Sequence, residues 1–295
     1  GERWLDLSPH VGVVVGPDAV GRLPAHVRAV MAGAPPVVDV EFDGGGPGAF
    51  VGASPLDGER GAGPTAFLTV MKGCSLMCTF CIVPSVRGPM RHRPSAEILD
   101  EAARLVAFGA REITLLGQTV NAWKEEGRGG GGDRAFAWLV GRLDRIPGLA
   151  RLRYTSPHPI FVSQSLVEAH GSLGSLCEHV HLPAQSGSDR VLHRMGRRHG
   201  RDEYLAVARD LKAARPGLTI STDLIVGFPG ETDEDFALTL DLVERVGFDT
   251  FFSFMYSPRP GTAAARWPDD VPARVKLDRL TRLHAIGDAM SAAAW

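Results

Sequence analysis

Three of the four cysteines in this 295-residue sequence fall within eight positions, at Cys74, Cys78 and Cys81. The Cys-x3-Cys-x2-Cys spacing lets one loop turn three thiolates toward a common point. Gly73, just before it, supplies the backbone freedom to turn out of a preceding strand. Three readings compete. Inert buried thiols are common one at a time but are a poor account of three at this spacing. A structural zinc site wants four nitrogen or sulfur ligands in paired short spacings, and Cys177 lies far along the chain in a polar stretch, where it reads as a small core residue. An iron–sulfur cluster held by three thiolates leaves one iron without a protein ligand. That open position is where a small molecule chelates, as at a catalytic zinc, and the residues favour this third reading.

Such a loop needs a frame. From Thr65 onward, short apolar or β-branched runs alternate with helical periodicity. The strand candidates are Ala66–Met71, Glu112–Leu116, Arg151–Thr155, His179–Leu182, Thr219–Val226 and Thr250–Tyr256. Between them, Ile98, Leu99, Ala102, Leu105 and Val106 share one helix face, as do Phe236, Leu240, Val243 and Val246. Ser95 and Thr232 read as N-caps, and Ala273 to Ala289 as a closing helix. Six βα units in succession predict an α/β fold with a parallel sheet or open barrel and helices outside, its site at the C-terminal strand ends. The cysteine loop sits at the end of the first strand.

The opening sixty residues read differently. Val11–Gly16 looks like a buried strand and Pro24–Met31 like a short helix, before glycine-rich linker at Gly44–Gly48 and Gly61–Pro64. This piece is too short to bury a core alone and is expected to pack on the larger unit. Gly127–Gly132 lacks the Lys-Ser or Lys-Thr of a phosphate loop and reads as surface loop. No run of apolar residues suffices for a membrane span and the N-terminus has no signal-peptide pattern, so the cytoplasm is the expected location. A formal net charge of −2 confers no overall affinity for nucleic acid. Two local basic clusters, Arg87/Arg91/His92/Arg93 and Arg190/Arg194/Arg197/Arg198/Arg201, could bind phosphate or serve only as ordinary surface charge.

Cys74 to Gly88 (CSLMCTFCIVPSVRG), at the end of the first of six βα units, resembles the signature of radical-SAM enzymes. Four further segments are similar to the MiaB-type tRNA methylthiotransferases: Leu115–Trp123 (LLGQTVNAW), His181–Arg190 (HLPAQSGSDR), Asp223–Glu231 (DLIVGFPGE) and Tyr256–Ala264 (YSPRPGTAA). The resemblance implies a partial (βα)6 radical-SAM barrel over residues 59–290, preceded by residues 1–58 as a short remnant of an N-terminal α/β domain plus linker. It further implies a [4Fe-4S] cluster on Cys74, Cys78 and Cys81 whose free iron binds S-adenosylmethionine, cleaved to a 5′-deoxyadenosyl radical. The implied product is a methylthio group on C2 of N6-(dimethylallyl)adenosine beside the anticodon. The implied partners are the anticodon stem-loop of tRNA and an electron donor such as a flavodoxin or ferredoxin, with neither DNA nor membrane.

Within that resemblance, Gly117 and Gln118 end the second strand, where a turn and an amide can meet the amino end of the cofactor; a plain βα turn is the alternative. Gln185 offers an amide at the site rim. Asp223, a carboxylate inside a strand, needs a partner: a ribose hydroxyl of the cofactor, an arginine or a backbone donor. Phe80 is placed beside the adenine, with core packing as its alternative. The sequence departs from the family in having no cysteine before Cys74, where relatives carry three more for a second cluster, and no C-terminal TRAM domain. The expectation is a partial enzyme that cleaves the cofactor without completing sulfur insertion. The competing substrates are threonylcarbamoyl-adenosine and a ribosomal-protein aspartate. A non-catalytic RNA- or metal-binding remnant is the rival from another class.

Overall fold

The computed structural model describes residues 2–42, 50, 63–127 and 134–293. The linker at 44–48, the 58/59 boundary, and the glycine loop beyond Gly127 lie outside the described residues. The first piece comprises helix α1 (Glu2–Leu7), strand β1 (Val13–Val15), helix α2 (Leu23–Met31) and strand β2 (Val37–Asp39). Pro24 in the first turn of α2 presets its φ where no intrahelical N–H is required. The two strands pair in parallel, Val13 opposite Val37. Contrary to the expectation of a buried strand, β1 is only half-buried, because among the described residues its two-stranded sheet has a helix on one side and little else to cover it. This piece rests on the larger unit through Asp18, whose buried carboxylate meets Arg91 at 2.8 Å.

The larger unit runs β3 (Thr65–Thr69), β4 (Met71–Lys72), α3 (Val83–Arg87), β5 (Arg91–His92), α4 (Ser95–Ala107) and β6 (Glu112–Leu116). Then come α5 (Ala135–Leu143), β7 (Arg151–Tyr154), α6 (Gln164–Ser172), β8 (His179–His181), α7 (Asp189–Arg194) and α8 (Arg201–Ala214). It closes with β9 (Thr219–Val226), α9 (Asp233–Val246), β10 (Thr250–Met255) and α10 (Ala273–Ala293). All six expected strands form, within a residue or two at each end, and they pair in parallel in two sets, β3-β6-β7 and β8-β9-β10. The Leu152–Leu176 bridge, with Cys177 N–H donating to Leu152 C=O at 3.0 Å, links the two sets just ahead of β8, and among the described residues no ladder joins β3 to β10. This is the partial (βα)6 barrel.

Alternation along the strands sends Leu68, Ile113, Leu115, Leu152, Val180, Ile220, Leu224 and Val226 outward, where helices bury them completely or nearly so. Ile98, Ala102 and Leu105 of α4 and Phe236, Val243 and Val246 of α9 close over them, each burial contributing roughly 1.5–3 kcal/mol for a large apolar side chain. The concave face is mixed, with His181, Ser221 and Asp223 beside the apolar Ile225, Phe252 and Phe254. Thr232 caps α9 as expected, its hydroxyl accepting from Asp235 N–H at 3.3 Å while the Asp235 carboxylate accepts from Thr232 N–H at 2.8 Å. Ser95 is not a cap. Pro94 takes that position with φ −58° and ψ 138°, and Ser95 N–H donates to Glu125 at 3.2 Å. Cys177 is half-buried at a groove rather than in the core, because it belongs to the bridge between the two sheet halves.

Candidate functional site

The expected first strand ends early, at Thr69, and the chain passes through Val70 into the antiparallel β4–β5 hairpin, Lys72 opposite Arg91. Gly73 leaves that hairpin at φ +74°, and a Cβ there would collide with the carbonyl oxygens of Gly88 and Pro89. Its N–H donates to the Gln118 side-chain oxygen at 2.6 Å, which ties the start of the cysteine loop to the end of β6. Cys74 N–H donates to Gly88 C=O at 3.0 Å. The far side is held by Thr79, whose N–H donates to Met195 C=O at 2.9 Å and whose C=O accepts from Ala264 N–H at 2.8 Å. The loop is thus fixed at both ends by backbone bonds before any ligand is considered.

Cys74, Cys78 and Cys81 are free thiols, and all three line one cavity of about 160 Å³. Gln118, Thr119, His158, Gln185 and Arg197 complete its walls. The Thr119 hydroxyl lies 3.3 Å from Cys74 Sγ, and an Arg197 terminal nitrogen lies 3.9 Å from Cys78 Sγ. The other Arg197 terminal nitrogen donates to Pro183 C=O at 2.9 Å. Burial pushes the Cys81 thiol up against the lowering effect of Val83 N–H, and the Cys78 and Cys74 sulfurs add to the rise. A bound cation would take the place of that proton. Burial, then the charges of Arg197, His199 and Arg198, hold His158 down at about 2, so it stands neutral in the wall.

A second cavity of about 450 Å³ shares Phe80, Cys81 and Gln185 with the first. Asp223, Ile225, Phe254, Tyr256 and Arg259 extend it, and its size suits a nucleoside-sized ligand. Gln185 is held at φ +73° between Asp223 C=O and Ile225 N–H, and Ser156 on the first cavity has φ +54°. These are the only non-glycine positive-φ residues among those described, and both lie on cavity walls, where backbone strain of about 1–3 kcal/mol per residue marks sites more often than scaffolds.

The sequence-derived set therefore divides. Cys74, Cys78, Cys81, Phe80, Gln118 and Gln185 meet at the first cavity, and Phe80, Cys81, Gln185 and Asp223 at the second. Phe80 also packs edge-on against Phe228 at 6.3 Å, so both of its readings have support. Gly117 lies behind the wall; its missing side chain leaves room for Met71. Asp223 finds a histidine as its partner, His181 Nε2 at 3.3 Å. Thr119 and His158 were not singled out by sequence, although both follow strand ends, the one available signal. Of the basic clusters, Arg91 and Arg93 pair with Asp18 and Glu101, and Arg190 and Arg201 with Asp235 and Asp241. Arg194 stacks on Trp267, which leaves Arg87 and Arg198 as exposed cations.

The donor set fits a cluster better than a lone ion. One zinc at about 2.3 Å from each sulfur would draw the thiolates around a single point, and among the described residues no three His, Cys, Asp or Glu side chains are so gathered. The three sulfurs instead ring a cavity. Arg197 Nε and the Tyr256 hydroxyl, on the walls of the two cavities, are buried without a partner among the described residues. Such orphaned groups are what a polar ligand would satisfy.

The profile of the radical SAM superfamily matches residues 68–243, more than half of the chain. The chain belongs to the radical SAM superfamily. The cofactors of this superfamily are a [4Fe-4S] cluster and S-adenosylmethionine, and the fold agrees. The chain superposes on the E. coli coproporphyrinogen III oxidase HemN, a radical SAM enzyme, with a TM-score of 0.55 at 17% identity over 77% of this chain and 53% of that one. It superposes equally on the radical SAM methyltransferase TsrM of Kitasatospora setae, whose structure holds cobalamin and a [4Fe-4S] cluster, at 18% identity over 68% of this chain and 38% of that one. Closer in sequence are two proteins named tRNA-2-methylthio-N(6)-dimethylallyladenosine synthase. That of Sorangium cellulosum is 51% identical over 99% of this chain, and that of Acidithiobacillus ferrooxidans 49% over 96%. The chain spans 62% of the length of each. Among the described residues no helix is long and apolar enough to cross a membrane.

Proposed function

We propose that this radical SAM chain is the radical-generating core of a tRNA methylthiotransferase that modifies C2 of N6-(dimethylallyl)adenosine beside the anticodon. The observation that carries the reading is 51% identity to the Sorangium synthase across 99% of the chain. Support comes from the three free thiols around one cavity that opens on a nucleoside-sized one. In this reading residues 59–290 are the core domain, residues 1–58 the end of a preceding domain, and Cys74, Cys78 and Cys81 the three cluster ligands. Cys74, Cys78 and Cys81 would hold a [4Fe-4S] cluster, which when bound would supply the electron for reductive cleavage of S-adenosylmethionine.

The chain's own residues bind, orient and exclude water. The Arg197 guanidinium offsets thiolate charge at Cys78. Gln118 holds Gly73 and thereby the loop, and the missing side chain of Gly117 leaves room for Met71 behind it. Gln185 bridges the two cavities, Asp223 accepts from ribose hydroxyls, and Phe80 with Ile225 and Phe254 forms an apolar wall that keeps water from the reacting centre. In this reading exposed Arg87, just past the loop, meets an RNA phosphate. The anticodon stem-loop, a flavodoxin or ferredoxin as donor, and the cytoplasm complete the proposal.

Anaerobic reconstitution followed by dithionite and S-adenosylmethionine should give about four irons per chain and 5′-deoxyadenosine. Cys78→Ala should lose both, and a wild-type chain without deoxyadenosine overturns the radical reading. Mass spectrometry of tRNA nucleosides from a deletion host carrying the full-length gene tests the substrate. Deoxyadenosine without methylthiolated tRNA would redirect it to another acceptor.

A further inference from the structure

The concave face of the sheet carries a row of polar side chains of which the site above uses only one end. His179 and His181 alternate along β8, Ser221 and Asp223 along β9, and His181 sits in register with Ser221, so the four share a face. The Ser221 hydroxyl lies 2.9 Å from His179 Nε2 and 2.9 Å from His181 Nδ1, and His181 Nε2 lies 3.3 Å from the Asp223 carboxylate. Ser221 is buried, and Phe252 packs edge-on against His181 at 6.1 Å.

With both rings neutral and the carboxylate ionised, the hydrogens in this row have a single arrangement. An ionised carboxylate only accepts, so His181 Nε2 carries the hydrogen. A neutral His181 then presents a bare Nδ1, which only accepts, so Ser221 must donate its single proton there. The Ser221 oxygen in turn accepts from His179 Nε2–H. Burial first, then the charge of Arg153, holds the His179 pKa down, consistent with a neutral ring at the head of the row. Each donor meets one acceptor, and the polarity runs one way, from His179 in a surface groove to Asp223 in the larger cavity.

We infer that His181 is a positioning residue. Locked in its Nε2–H form by Ser221 and His179, it fixes the Asp223 carboxylate so that the remaining lone pairs of Asp223 receive the paired hydroxyls of a nucleoside ribose. The inference rests on the proposed S-adenosylmethionine reading for its ligand, and on hydrogen-bond geometry between neutral rings for the tautomer. His181→Gln keeps a donor toward Asp223, whereas His181→Leu keeps none; Ser221→Ala releases the lock while leaving the donor.

Two measurements test it. In the 295-residue chain labelled with 15N-histidine, the resonances lost in His181→Gln should belong to a neutral Nε2–H ring. In the anaerobically reconstituted protein, S-adenosylmethionine should bind His181→Leu about ten- to a hundredfold more weakly than wild type, the usual loss for one charge-assisted hydrogen bond. His181→Gln should restore most of the affinity, with Ser221→Ala between. An Nδ1–H ring, or a His181→Leu protein that binds as wild type does, overturns the inference. A wild-type protein that binds no S-adenosylmethionine defeats the cofactor reading instead, and the tautomer measurement still decides the lock.

Discussion

Gly73 shows how narrowly the cysteine loop is specified. Its φ of +74° is open to glycine at little cost, and the space its side chain would need is filled by two backbone carbonyls, which cannot swing aside as a flexible side chain can. Gly73→Ala should therefore cost at least about 2 kcal/mol, combining left-handed strain with displacement of the β4–β5 turn. A lower urea midpoint with an unchanged slope would register it, and an unchanged midpoint would mean the turn yields. This residue was legible in sequence because a glycine between a strand and a ligand loop has few other uses. Arg197 was visible only as one of five arginines. What distinguishes it is the Pro183 carbonyl and the Cys78 sulfur, each far from it in sequence, while Arg190 and Arg201 turn to Asp235 and Asp241. Local spacing encodes which residues are basic. The choice between thiolate, carboxylate and phosphate as counter-charge is made by the loops that meet at the strand ends.

Elements were the most readable layer, since a strand buried on its outer face needs apolar or β-branched residues and the helix that covers it needs a 3.6-residue stripe. Five of the six strands and the α4 and α9 faces satisfy both conditions, while β10 offers only the partly buried Phe251 to the core. The split of the first strand into β3 and the β4–β5 hairpin was not readable, because Val70, Met71 and Lys72 prolong the strand-like pattern and only the pairing with Arg91 and His92 separates them. Caps divide in the same way. Thr232 lies three residues before Asp235 and completes a reciprocal box, but Pro94 displaces Ser95 from the capping position. Asp235 also joins two elements: burial raises its carboxyl, yet Arg190, Ser188 and Thr232 together bring it down to about 2. A depressed acid stabilises the fold above its unfolded value near 3.8, and that contribution disappears as pH falls through the folded value. Asp235→Asn should accordingly lose on the order of 2 kcal/mol at pH 7, with the difference from wild type shrinking between pH 4 and pH 2. Parallel urea titrations would show it, and a gap that stays constant to pH 2 would count against the assignment.

At the scale of the whole molecule, packing helices and loops over the sheet buries several histidines, and this arrangement sets how the chain responds to acid. His158, His170 and His199 are almost fully buried. Burial is the first cause in each case, joined by Arg197 at His158 and His199 and by Arg215 at His170. The rings are held down at about 2, about 4 and about 4 respectively. In the unfolded chain each takes up a proton near 6.5. Between that value and about 4 the unfolded state binds more protons than the folded one, so stability is complete above 6.5 and declines as pH falls. Each ring contributes up to about 1.4 kcal/mol per pH unit once the unfolded form is protonated, so three rings can remove several kcal/mol by pH 5. A domain whose net stability is about 5–15 kcal/mol would feel that loss. The carboxylates at Asp39 and Asp235, both held near 2, enter only below pH 4, so the two contributions separate on the pH axis. Urea midpoints at pH 7.5, 6 and 5 should fall in sequence, with a further loss below 4 as the two carboxylates take up protons. A level midpoint from pH 7.5 to 5 would mean that the interior rings accept protons without unfolding, which their shared burial beside arginines opposes.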